Sequence, residues 1–173
     1  MTDLDGYIRD VPDFPKKGIL FKDITPLLAS PEAFAEALAR FATRAERPDA
    51  VVAIESRGFI FGAPLARAWG VPFVPARKFG KLPGKTVRQV YSLEYGEDAL
   101  ELHADSLQRG WKVVVVDDLL ATGGTAGATV ALVEQLGARV TVALFLVELR
   151  GLGGRERLAP TRVEALLAYD VKE

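Results

Sequence analysis

Residues 113–125 read Val-Val-Val-Val-Asp-Asp-Leu-Leu-Ala-Thr-Gly-Gly-Thr, and the fold is decided by how this stretch is read. Four consecutive β-branched residues suit a strand covered on both faces, which calls for helices above and below a parallel sheet. Asp117 and Asp118 end that run, and the Thr-Gly-Gly-Thr turn leads into a helix from about Ala126 to Leu136, closed by Gly137. Free N–H groups at such a turn, joined by the positive end of the helix, form a cradle for an anion. Glycine lets the backbone approach closely, and Thr122 and Thr125 add hydroxyl donors. Two carboxylates beside a bare phosphate would repel it, so something neutral or cationic must lie between them. A ribose diol or a magnesium ion meets that need, so the pair and the loop together read as a sugar-phosphate site at the carboxyl edge of the sheet. The bland alternative is a strand that merely ends in acids before an ordinary glycine turn.

Working outward, Ala50 to Ile54 is a second continuous apolar run, followed by the polar turn Glu55-Ser56-Arg57-Gly58. A helix from Phe59 to Trp69 ends at Gly70, and Val71 to Val74 reads as another strand, with Pro72 placing it near an edge or a strand start. Earlier, Ser30 can cap a helix that opens on Pro31 and carries Phe34, Leu38 and Phe41 at i, i+4 and i+7. Downstream, Val140 to Val147 and Val163 to Ala168 read as further strands. Arg77 to Arg88 breaks the rhythm with two glycines, a proline, the five cations Arg77, Lys78, Lys81, Lys85 and Arg88, and no acid, so a mobile basic loop is expected. Tyr91 to Tyr95 and Ala99 to His103 then read as a hairpin-like excursion from the main sheet. Strands alternating with helices predict one α/β domain over residues 1–173, with a mostly parallel sheet flanked by helices and right-handed crossovers.

Composition narrows the chemistry. The chain has 22 basic and 23 acidic residues, one histidine and no cysteine. No disulfide scaffold, thiolate nucleophile or Cys-ligated zinc is possible, and a Ser-His-Asp triad would hang on His103. His103 alternates with Leu100 and Leu102 and is assigned no role. Apolar runs fall short of the roughly 20 residues needed to cross a bilayer. The acidic amino terminus reads as neither a secretory signal nor a transit peptide, which predicts a cytoplasmic protein. Near-zero net charge disfavours a nucleic-acid partner. Two nucleotide motifs fail on inspection: G-x-G-x-x-G would need glycine where Thr122 stands, and Gly80 to Thr86 has three residues between its glycines where a Walker A loop has four. Phe14, Phe59, Phe61 and Phe73 read as core.

With these residues in view, the 113–125 stretch resembles the PRPP-binding motif of type I phosphoribosyltransferases. Four further blocks resemble the adenine-specific members of that family: residues 13–28 (DFPKKGILFKDITPLL), 55–59 (ESRGF), 77–84 (RKFGKLPG) and 91–96 (YSLEYG). The resemblance spans roughly Val11 to Tyr169. It implies the type I phosphoribosyltransferase fold, with a small hood over residues 1–30 and a flexible catalytic loop over residues 77–95. It also implies transfer of a phosphoribosyl group from PRPP to adenine, giving AMP and pyrophosphate, with Mg2+ carried by PRPP near Asp117 and Asp118. Ala121, Thr122, Gly123, Gly124 and Thr125 would hold the 5-phosphate, the two aspartates the ribose hydroxyls, and Arg57, Arg77 and Lys78 the pyrophosphate, with Lys81 on the loop beside them. Adenine would lie between Phe21 and Leu119, its edge read by the backbone around Leu20 and Lys22. Glu94 and Tyr95 are implicated in catalysis alongside Arg57 and Arg77, and a homodimer is implied. Members of the family commonly carry Arg at the position of Lys22 and Pro at that of Lys17.

The chemistry agrees with this outline. Displacing pyrophosphate builds positive charge on the ribose and negative charge on the departing group, so fixed cations and nearby carboxylates are both needed. Two other readings stay open: a PRPP- or purine-sensing regulator that binds without turnover, and a transferase acting on 6-oxopurines.

Overall fold

Val113 and Val115 point into one hydrophobic cluster and Val114 and Val116 into another, and all four are fully buried. The strand that carries them is therefore covered on both faces. Truncating any one to alanine should cost about 1–3 kcal/mol. The computed structural model describes residues 2–92 and 96–171.

Two sheets organise these residues. A small antiparallel pair joins β1 (Arg9–Pro12) to β2 (Leu20–Asp23). The main sheet contains β3 (Ala50–Ile54), β4 (Phe73–Lys78), β5 (Thr86–Ser92), β6 (Glu97–His103), β7 (Lys112–Leu120), β8 (Arg139–Arg150) and β9 (Val163–Asp170), in the spatial order β5-β6-β4-β3-β7-β8-β9. The five strands from β4 through β9 in that order run parallel, and β5 and β6 add an antiparallel hairpin at one edge. Helices α1 (Thr25–Ala29), α2 (Pro31–Thr43) and α3 (Gly58–Trp69) cover one face, while α4 (Gly124–Gln135) covers the other. A short α5 (Gly154–Leu158) lies between β8 and β9.

Helix α2 begins as its sequence dictates: the Ser30 hydroxyl accepts a hydrogen bond from the Ala33 N–H at 3.2 Å, and Pro31 occupies the first turn. Helix α3 starts hard against β7, because a Cβ at Gly58 would lie 2.7 Å from the Val116 carbonyl oxygen and 3.0 Å from Asp117 Oδ1. Only glycine allows that approach, and it brings Arg57 beside the aspartates.

Four expectations need correction. Arg77 and Lys78 end strand β4, and residues 86–92 form β5, so the basic connection shrinks to residues 79–85. Strand pairing with β6 captures both ends, satisfying backbone groups that a longer loop would leave to solvent. The hairpin is no excursion, since β6 pairs with β4 and extends the main sheet. Strand β7 runs through the aspartates to Leu120, because β8 continues to pair with it as far as Glu148. Phe14 is 51% exposed rather than core, resting edge-on against Phe21 with ring centroids 5.1 Å apart. The expected roles of Glu94 and Tyr95 lie outside the described residues, as does the end of the strand expected over Tyr91 to Tyr95.

Candidate functional site

The carboxyl ends of β3, β4 and β7 open into a cleft of about 320 Å³. It is lined by Arg57, Lys78, Asp117, Asp118, Leu119 and the whole turn from Ala121 to Thr125, all of them expected from the sequence. Position follows from topology, since parallel strands deliver their carboxyl ends and the following turns to one edge. Gly123 adopts a left-handed φ of 78° and stands just before α4, so the first N–H groups of that helix face the cleft unpaired within the helix.

The turn is braced from behind. A Cβ on Gly123 would lie 2.8 Å from the Gly154 carbonyl oxygen, and a Cβ on Gly154 would lie 2.2 Å from the Ala121 carbonyl oxygen. Two glycines, 31 positions apart in sequence, thus let the start of α5 press directly on the cradle.

The aspartate pair is electrostatically unusual. Asp117 Oδ1 accepts the Asp118 N–H at 2.8 Å, and Asp118 itself is buried. Burial, with the neighbouring Asp118 charge added, pushes the Asp117 carboxyl well above the ordinary carboxylate range. Burial also raises Asp118, against the opposing pull of Arg57. Asp118 Oδ2 accepts no hydrogen bond from the described residues, although Arg57 Nε stands 3.0 Å away.

The cations are spoken for by acids. Arg77 donates through Nε and Nη2 to the two oxygens of Glu55, at 3.2 and 3.1 Å, and through Nη1 to the Lys81 carbonyl. The Arg77 hydrogen bonds hold the Glu55 carboxyl below its usual range. Lys78 Nζ lies 3.0 Å from Asp98 Oδ2, which also accepts the Tyr91 hydroxyl at 3.2 Å. That contact raises the Lys78 ammonium and lowers the Asp98 carboxyl, while burial raises the Tyr91 phenol.

Arg77, Lys81, Leu20, Phe21 and Lys22 do not line the cleft. Phe21 borders it through Arg57, whose guanidinium carbon lies 5.3 Å from the Phe21 ring centroid. Leu20 is exposed, and the Lys22 side chain is buried on the opposite side of β2. Glu55, Tyr91 and Asp98 line the cleft without having been assigned a role from sequence. Their partners come from strand pairing: Tyr91 is registered opposite Asp98, and Ile54 opposite Ala76, which sets Glu55 beside Arg77. Glu55 and Tyr91 fall in the 55–59 and 91–96 blocks, and the opposite charges of Glu55 and Arg77, and of Asp98 and Lys78, near the ends of adjacent strands were a second signal. Among the described residues no three His, Cys, Asp or Glu side chains gather as a metal cage, and no helix is long and apolar enough to cross a membrane.

The sheet edge thus joins a carboxylate pair to a glycine anion cradle, the arrangement of a sugar-phosphate site, and comparison with known proteins supplies the class. The phosphoribosyl transferase domain family matches residues 25–162, and the chain belongs to that family. Within it, the chain is 58% identical to the adenine phosphoribosyltransferase of Synechococcus sp. (strain CC9605), over 96% of this chain and 99% of the relative. The crystal structure of adenine phosphoribosyltransferase from Thermoanaerobacter pseudethanolicus superposes with a TM-score of 0.93 at 49% identity, covering 96% of this chain and 98% of that one. The Saccharomyces cerevisiae enzyme, solved with D-2,5-dideoxy-2,5-imino-altritol 1,6-bisphosphate and adenine, gives 0.90 at 42% identity, covering 95% and 96%.

Proposed function

We propose that the protein is an adenine phosphoribosyltransferase, joining adenine to the phosphoribosyl group of PRPP to give AMP and pyrophosphate. The observation that carries this reading is the cleft that puts Asp117 and Asp118 next to the Ala121–Thr125 cradle, with Arg57 bridging from that pair to Phe21. The cradle amides grip the 5-phosphate. Asp118 Oδ2, buried with an unmet acceptor, takes a ribose hydroxyl. Arg57, Arg77 and Lys78 stabilise the departing pyrophosphate after exchanging their carboxylate partners for its oxygens. Phe21 and Leu119 hold the purine ring, and backbone groups at Leu20 and Lys22 read its edge. Glu94 and Tyr95 complete the proposed catalytic set.

The same two carboxylates suit Mg2+, which in such sites takes one or two protein carboxylates together with substrate oxygens. The ion would arrive with PRPP and lie near Asp117 and Asp118, where it would neutralise charge on the pyrophosphate. A homodimer is also proposed, testable by sedimentation equilibrium.

Incubation with PRPP, Mg2+ and each of adenine, guanine, hypoxanthine and orotate should yield AMP alone. Faster turnover of another base rejects the reading. A regulator without turnover would bind PRPP yet release no pyrophosphate.

A further inference from the structure

A charged group rarely sits fully buried unless something specific holds it there. Lys22 is such a group: the residue is 7% exposed, and it follows directly on Phe21, which borders the cleft. Alternation along β2 sends these neighbours to opposite faces. Phe21 meets Arg57, while Lys22 turns inward to a site built from three elements.

The Lys22 ammonium lies 2.5 Å from Asp10 Oδ1, its register partner across the β1–β2 pair. It also stands over the Tyr169 ring, 3.8 Å from the centroid. The Tyr169 hydroxyl in turn donates to Asp5 Oδ1 at 2.6 Å. Tyr169 belongs to β9, the edge strand of the main sheet, whereas the β1–β2 pair shares no ladder with that sheet. A cation–π contact and an ion pair thus fasten the amino-terminal hairpin to the domain at the residue beside Phe21.

We propose that Lys22 is a positioning residue for base recognition, locking the register and height of β2 so that the backbone of residues 20–22 and the Phe21 ring meet the purine. The proposal rests on the reading of β2 as the base-contacting strand. The Asp10 side chain is 54% exposed, so only the lysine end of the pair is buried, and such a pair adds little net stability against the cost of desolvating the ammonium; stability alone does not account for a lysine here. Specifying one register does: slipping β2 by one residue would exchange the faces of Phe21 and Lys22 and leave the ammonium without Asp10 or the ring.

The test is the steady-state kinetics of Lys22→Met and Lys22→Arg, with each substrate varied in turn and unfolding followed as a control. Lys22→Met, equal in length and uncharged, should raise the KM for adenine at least tenfold while that for PRPP stays within twofold. Lys22→Arg keeps the charge and should recover most of the loss. An unchanged adenine KM in Lys22→Met overturns the proposal, as does a parallel rise in both constants, which marks a general structural defect. Should Lys22→Met fail to fold, Asp10→Asn and Tyr169→Leu each remove one partner and must show the same one-sided rise, at least threefold. If the wild type makes no AMP from adenine, the functional reading fails separately. Amide exchange at residues 20–23 then decides: at least tenfold faster in Lys22→Met sustains the clamp, and no change refutes it.

Discussion

Arg57 Nε stands 3.0 Å from Asp118 Oδ2, yet the N–H does not point at that oxygen, which accepts no hydrogen bond from the described residues. The pair is held by charge and leaves an acceptor free. On the proposed reading a ribose hydroxyl arriving from the cleft side would satisfy it.

Asp118→Asn removes that charge and offers a donor where an acceptor is needed. Turnover should fall about a hundredfold, the size of loss typical when one preorganised polar contact in a site is removed. The thermal midpoint should hold or rise, because an incompletely paired buried charge is lost. Wild-type kcat in this variant contradicts the assignment.

Arg77 presents a planar fork to both oxygens of Glu55. Lysine cannot reproduce that bidentate geometry. Arg77→Lys should therefore retain little of the wild-type rate, roughly a tenth or less, and Arg77→Ala less still, with unfolding transitions little changed. Equal rates for Arg77→Lys and wild type would show that Glu55 needs no fork.

Gly154→Ala forces a methyl group toward the Ala121 carbonyl oxygen, and the cradle must shift to admit it. Overpacking of this kind costs about 1–3 kcal/mol. The KM for PRPP and the inhibition constant for inorganic phosphate should both rise several-fold, with adenine affinity less affected. Isothermal titration with AMP reads the same displacement directly.

The aspartate pair sets a pH dependence of definite sign. Burial raises the native Asp117 pKa above its unfolded value near 3.8, so between the two the native state binds more protons than the unfolded chain. Its contribution to stability is then greatest in acid and declines as pH climbs past about 4. In the ligand-free protein, Asp117→Asn should be more stable than wild type at pH 7, and the difference should shrink as pH falls toward 4. Glu55, lowered by Arg77, works in the opposite direction: its stabilisation is present above its unfolded value and lost on acidification. Urea unfolding at several pH values, on both Asp117→Asn and Glu55→Gln, separates the two.

Much of this was legible in the chain. The valines of β7, the apolar run of β3, the Ser30 cap and the glycine turn are local signals, and each fell where its residues put it. The cleft-lining aspartates and cradle were legible for the same reason. What escaped were facts made by pairing at a distance. Tyr91 and Asp98 join the site only because β5 and β6 fold together, and Arg77 left the loop because β6 captured the end of β4. Phe14 looked like core by residue type, but the β1–β2 pair holds it on an outer surface.

At rest, Arg57, Arg77 and Lys78 each stand beside a carboxylate. The cations of the cleft are thus already compensated, and the anion contact that displaces no ion pair is the row of N–H groups at the start of α4. Orthophosphate, abundant and small, can offer one such cation a new partner but cannot compensate three abandoned ones at once. On the proposed reading PRPP, with a pyrophosphate as well as a 5-phosphate, spans the cleft and can, so its selection would rest on the ion pairs it displaces as much as on the groups it touches.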